Sequence, residues 1–129
     1  MRILTSVAIL VLLAGCAGAP KQPAITIDQV SPAPKCQSQR QCEAMWTSVP
    51  EALEAVSGMR VRLSTDTRVE TFNATGAGRF YGVATKKVQP DGSYLIVASF
   101  SCGYAYCAPD ELRALDGFNK YVTASGIGY

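Results

Sequence analysis

The stretch RFYGVATKKVQPDGSYLIVASFSC, residues 79–102, decides the fold. Two extended runs flank Pro90-Asp91-Gly92. Proline presets a turn's φ, aspartate bonds to backbone two residues on, and glycine accepts a positive φ, so these three residues predict a hairpin turn. The run at 79–89 reads as one long strand. The run at 93–102 is apolar on both sides, with Tyr94, Ile96, Ala98 and Phe100 on one and Leu95 and Val97 on the other. A strand buried on both faces reads as a near-continuous apolar run, so this one is expected to be central.

Working outward, Met59, Val61 and Leu63 alternate with Arg60, Arg62 and Ser64, which predicts a strand with one face buried. Thr65-Asp66-Thr67 turns the chain, 68–73 pairs back, and 74–78 is a small glycine-bearing loop. Upstream, Cys42, Met45, Trp46, Val49, Leu53 and Val56 recur at helical spacing. Ser38 with Gln41 has the pattern of a capping box at the start. Pro50 removes one backbone hydrogen bond and should kink or divide this helix, and Gly58 ends it. A last helix opens at Pro109-Asp110-Glu111, where proline suits the first position and acids suit the positive end of the helix dipole. Leu112, Leu115, Phe118, Tyr121 and Val122 form its apolar stripe, and 125–129 is a glycine-rich tail. The order is α-β-β-β-β-α. The expected fold class is α+β: a four-stranded antiparallel sheet flanked by an N-terminal and a C-terminal helix, stabilised by disulfides.

The chain begins Met1-Arg2, followed by a mostly apolar run of about 11 residues, short of the roughly 20 that span a bilayer. A short apolar run after a basic start, ending in small residues, reads as a cleaved export signal. Leu13-Ala14-Gly15-Cys16 resembles the lipobox of bacterial lipoproteins. That resemblance implies that 1–15 is the signal peptide and that Cys16 is lipidated, carrying a thioether diacylglycerol and an N-acyl (palmitate) chain. One acyl chain binds a membrane marginally, whereas several hold it stably. Ala17 after the cysteine, rather than an aspartate, implies sorting to the outer membrane, with the protein facing the periplasm.

Without 1–15 the chain has 114 residues, 11 of them basic and 10 acidic. That balance gives no electrostatic footprint for nucleic acid. Beyond Cys16 the cysteines are Cys36, Cys42, Cys102 and Cys107, and there is no histidine. An even number in an exported domain reads as two disulfides. The local pairs Cys36–Cys42 and Cys102–Cys107 are preferred, and the crossed pairings stay open. The spacings do not suit a zinc site, so no metal and no cofactor are expected. Residues 16–35 contain the lipidated cysteine and a stretch with Pro20, Pro23, Pro32 and Pro34, which reads as a tether reaching roughly 60 Å. Ile25, Ile27 and Val30 offer a short edge strand as the alternative. Residues 36–129 then form one small α+β domain.

Several short motifs recur together: Cys36-x5-Cys42 with Met45-Trp46, Gly58-Met59-Arg60-Val61, Thr65-Asp66, Val69-Glu70-Thr71-Phe72-Asn73, Cys102-x4-Cys107 with Pro109, and Phe118-Asn119. This set resembles a group of small uncharacterised exported proteins and lipoproteins of proteobacteria, over most of 36–122. The resemblance implies a coherent fold and brings no activity with it.

Catalysis finds little support. Without histidine the usual base for a nucleophile is missing, and no motif surrounds Lys86, Lys87 or Lys120 to make a serine–lysine pair. Asp66 and Glu70 are the carboxylates with least structural explanation. Arg60, Arg62 and Arg68 should share the polar side of the first hairpin with Glu70, as a solvated face or a seat for an anion. Gly76-Ala77-Gly78 lacks the lysine of a phosphate loop. Tyr104 and Tyr106, in the loop between Cys102 and Cys107, are the candidate protein-binding residues, since tyrosine offers rigid area with a polar tip; their rings could instead cover the core edge. The tail at 125–129 is a second recognition candidate or a frayed end. The expected function is a non-catalytic binding or structural module of the cell envelope, held to the membrane by its lipid and meeting an envelope protein. The alternative is an inhibitor of a lysozyme-type cell-wall hydrolase.

Overall fold

A computed structural model describes residues 23–103 and 108–129. After a single 3₁₀ turn at Ile27–Gln29 come β1 (Lys35–Cys36), α1 (Gln39–Ser57), β2 (Val61–Ser64), β3 (Arg68–Thr71), β4 (Tyr81–Val88), β5 (Tyr94–Ser101) and α2 (Ala108–Ser125). The hairpin of β4 and β5 is the longest pairing, from Tyr81 opposite Ser101 to Val88 opposite Tyr94. Its turn forms where expected. The Gly92 N–H donates to the Gln89 carbonyl at 3.0 Å, and the Asp91 carboxylate accepts from the Ser93 N–H at 3.0 Å.

The sheet is antiparallel throughout, in the order β1-β5-β4-β3-β2, with α1 and α2 packed against one side. The α+β class with two helices is as expected, but there are five strands and not four. The extra one pairs Lys35 with Leu95 and Cys36 with Tyr94, and the Ile96 N–H reaches on to the Pro34 carbonyl at 2.8 Å. Two residues are too few to show a period, and the prolines at 32 and 34 argue against a strand.

The end of the stretch expected as tether therefore lies against the domain. The Ser31 N–H and hydroxyl donate to Asp116 Oδ1 at 2.9 and 2.7 Å, Asn119 Nδ2 donates to the Ser31 carbonyl at 2.7 Å, and the Arg113 guanidinium donates to the Pro23 carbonyl. The alternative strand at Ile25, Ile27 and Val30 is replaced by the 3₁₀ turn. Lys120 foremost, 2.7 Å from Asp116, and then the Ser31 backbone and hydroxyl pull the Asp116 carboxyl from 3.8 down to about 2. A depressed carboxyl stabilises the fold above its ordinary range, and that contribution is lost as pH falls through its folded value. Asp116→Ala should thus lower the melting temperature by a few degrees at neutral pH and speed protease cleavage within 25–32. The gap to the parent should close as pH drops from 3.8 towards 2, and a gap independent of pH would show that the carboxylate is not the latch.

Three local features depart from the simple patterns. First, α1 runs unbroken through Pro50. Proline within a helix costs about 3 kcal/mol, but Met45 and Val49 before it and Ala52 and Leu53 after it are all buried in the core, and that shared burial keeps the helix from dividing there. The expected ends hold, with half of the capping box: Ser38 Oγ accepts from the Gln41 N–H at 3.2 Å, the Gln41 side chain accepts from the Gln37 N–H and not from that of Ser38, and Gly58 closes the helix at φ 68°. Second, a bulge between Val61 and Leu63 shifts the register on β3, so Leu63 falls opposite Glu70. One extra residue reverses the alternation, and Leu63, read as inward, is 39% exposed. Third, the tail is docked where it begins. Gln41 Nε2 donates to the buried Gly126 carbonyl at 3.3 Å, and a Cβ at 126 would stand 2.5 Å from Met45 Sδ. Ile127 and Tyr129 beyond it are exposed.

Candidate functional site

The Cys36–Cys42 disulfide forms, with Cα atoms 5.1 Å apart, and ties β1 to the first turn of α1. The crossed pairings left open by the sequence are thereby excluded. Cys102 is also disulfide-bonded. Its expected partner Cys107 lies outside the described residues, as do the expected lipidation position Cys16 and the candidate binding residues Tyr104 and Tyr106.

A concave feature among the described residues lies elsewhere, between the N-terminal half of α1 and the turn end of the β4–β5 hairpin. It is a groove of about 620 Å³, within the usual range for small-ligand sites. Trp46 comes from the second turn of α1, half-buried, and its indole Nε1–H donates to the Thr65 carbonyl at 3.2 Å. That bond links helix to β2–β3 turn and fixes the ring plane. Tyr94 opens β5. Lys86 opposes Ile96 on β4, so it shares the helix side of the sheet with Tyr94, two residues along. Its ammonium stands 5.1 Å from the Trp46 ring centre and 5.6 Å from that of Tyr94. A cation so placed is attracted by both rings. Among the described residues no carboxylate forms an ion pair with Lys86.

The rest of the wall is polar. Glu43 accepts from Gln39 Nε2 at 2.9 Å, and Asp66, Gln37 and Thr47 complete the rim. Asp66 therefore belongs to this groove, whereas Glu70 belongs to the opposite side of the sheet, and the two carboxylates do not share a site. Glu70 is 6% exposed although it faces away from the helices. Arg62 and Arg68 both donate to it. Arg68 foremost, with Arg62 and the Tyr81 hydroxyl adding, holds its carboxyl below the ordinary range against the opposing effect of burial. The expected arginine–glutamate grouping is present in Arg62, Arg68 and Glu70, with both guanidiniums bonded to the one carboxylate.

Helical spacing places Trp46 in the core stripe, and it does pack half-buried against the core, but the spacing does not show that its ring also faces a groove, and it gives Lys86 no role. One signal was available: Met45 and Trp46 are adjacent, about 100° apart on a helix, so both cannot point to the centre of the core. Met45 is the buried one. Lys86 could not be found this way, because its role depends on a contact between β4 and α1. Chemically the groove can stack, hydrogen-bond and hold charge. Among the described residues no group of three His, Cys, Asp or Glu side chains could hold a metal ion. Compared with known protein families, curated proteins and solved structures, the chain matches none.

Proposed function

We propose that this protein is a lipid-anchored module of the cell envelope, on the periplasmic side of the outer membrane, that works by binding and not by catalysis. The lipobox-like Leu13-Ala14-Gly15-Cys16 supports the anchor and the location. The observation that carries the binding reading is Lys86 held between Trp46 and Tyr94 in an open groove. A half-sequestered cation with no carboxylate partner among the described residues is a group available to a ligand. The polar rim supplies orientation.

The second reading, inhibition of a lysozyme-type hydrolase, draws on the tail. Gly126 anchors it to α1, and Ile127 and Tyr129 project beyond as an exposed apolar and aromatic pair. Photocrosslinking from groove positions in live cells, with a Cys16→Ser control, separates the readings. An envelope component captured only by the anchored protein supports the module. Capture of a hydrolase through tail positions alone, with slower lysis by that enzyme, would move the assignment to the inhibitor. An equal yield from the Cys16→Ser control would remove the anchor from the function.

A further inference from the structure

We infer that the Trp46–Tyr94 groove is a saccharide site, and that its ligand is an N-acetylated amino-sugar chain of the kind that builds a cell wall. The inference rests on the envelope reading for where such a ligand would be met, and on the groove itself for the chemistry.

A pyranose has an apolar C–H side that stacks on an aromatic ring and hydroxyls that donate and accept in the same plane. The groove offers both kinds of surface. Trp46 is oriented beforehand by its bond to the Thr65 carbonyl, so stacking on it orders little that is not already ordered. The lining around the rings holds both donors and acceptors. Lys86 donates and Asp66 accepts, while Gln37 and Thr47 can do either. The side chains of Gln37, Thr47 and Asp66 have no hydrogen-bond partner among the described residues. An N-acetyl group fits this set further. Its carbonyl would accept from Lys86, its N–H would donate to Asp66, and its methyl would lie against a ring.

Other ligand classes fit less well. An extended peptide adds to a free strand edge, but β4 is paired with β5 along its length and with β3 and its turn as far as Lys86, and the start of β5 is paired with β1. The groove is therefore lined mainly by side chains, with little strand edge left for a peptide to pair with. An apolar anchor would need a dry pocket, and the apolar lining here is little more than two rings and the Cys42 side of the disulfide. A strongly charged polymer of either sign would meet Lys86 beside Glu43 and Asp66, charges that oppose each other.

Trp46 is the only tryptophan in the chain, so its emission reports on this groove alone. The experiment titrates the full lipidated protein in detergent micelles with chitotetraose, and with cellotetraose as the analogue lacking N-acetyl groups. The expected result is a change in Trp46 emission that saturates below about 10 mM chitotetraose, with cellotetraose at least tenfold weaker. Tyr94→Ala and Lys86→Met should each weaken binding at least tenfold with unchanged circular dichroism. Methionine keeps an unbranched apolar stem beside the rings and removes the charge. Should either variant unfold, Gln37→Ala at the exposed rim gives the same test without touching the core. No emission change by about 10 mM, or binding untouched by these variants, overturns the site. Equal binding of cellotetraose overturns the amino-sugar assignment. A silent titration beside reproducible protein capture in live cells would sink the saccharide and leave the binding module standing. Silence in both would sink both.

Discussion

Phe118→Ala is expected to lower stability by about 3–5 kcal/mol. Phe118 is the largest fully buried side chain among the described residues and lies on the inner side of α2. Its ring meets that of Phe100 on β5 edge to face, with centres 6.0 Å apart, and so fastens the C-terminal helix to the C-terminal end of β5. Truncation removes that contact and leaves a hole. Leu53, Ile96 and Val122, all buried nearby in the same core, cannot fill it without leaving their own positions. A domain of this size has roughly 5–15 kcal/mol in total, and each kcal/mol is worth about 4–8 °C in melting temperature. Urea unfolding should therefore show a much lower midpoint with an unchanged slope. The neighbouring Asn119 bonds to Ser31, so the segment before β1 should loosen in the same variant. A loss under about 1 kcal/mol would mean that α2 is only loosely docked and that the Phe100 contact contributes little.

The reach of sequence reading can be followed through β5. Its apolar character on both sides predicts a central strand, yet a four-stranded meander ending in β5 would leave it at an edge. The two statements conflict, and the conflict was itself the sign of a missing neighbour. That neighbour is β1, whose two residues carry no periodicity and follow two prolines. Hairpin, caps and both helices were legible because each depends on bonds within a few residues. The bulge at Val61/Leu63 was not, because nothing in an alternating string says where one residue is skipped. The continuity of α1 through Pro50 was not legible either, since what offsets the lost hydrogen bond is burial against a sheet formed later in the chain.

The site follows the same division. Arg62, Arg68 and Glu70 could be grouped beforehand because they lie on one hairpin. The groove is assembled from α1, the β2–β3 turn, β4 and β5, so no local pattern announces it. Trp46 does lie along the edge of the apolar stripe, half-buried against the core, and only its second role in the groove is hidden. Its meaning came from Lys86, forty positions away and joined to it only by the packing of helix on sheet.

Replacing Cys36 and Cys42 together by alanine is expected to cost about 3–4 kcal/mol. The bridge joins residues six apart. Closing so short a loop restricts the unfolded chain by roughly 2 kcal/mol on the entropy account. The remainder comes from packing, since Cys36 is fully buried and Cys42 nearly so in the same cluster as Met45 and Ile96. The effect should be uneven across the sheet. β1 has only two paired residues, and without the covalent tie its attachment rests on the Ser31 contacts and on the Pro34 carbonyl. Hydrogen exchange should show this directly. The Ile96 amide, which donates to that carbonyl, should lose protection far more than amides of β3 and β4. Trp46 emission should shift as well, because Cys42 borders the groove. A double variant as stable as the parent, with Ile96 still protected, would mean that the contacts between Ser31 and α2 hold β1 in place alone. The disulfide would then serve the shape of the groove and not the stability of the sheet.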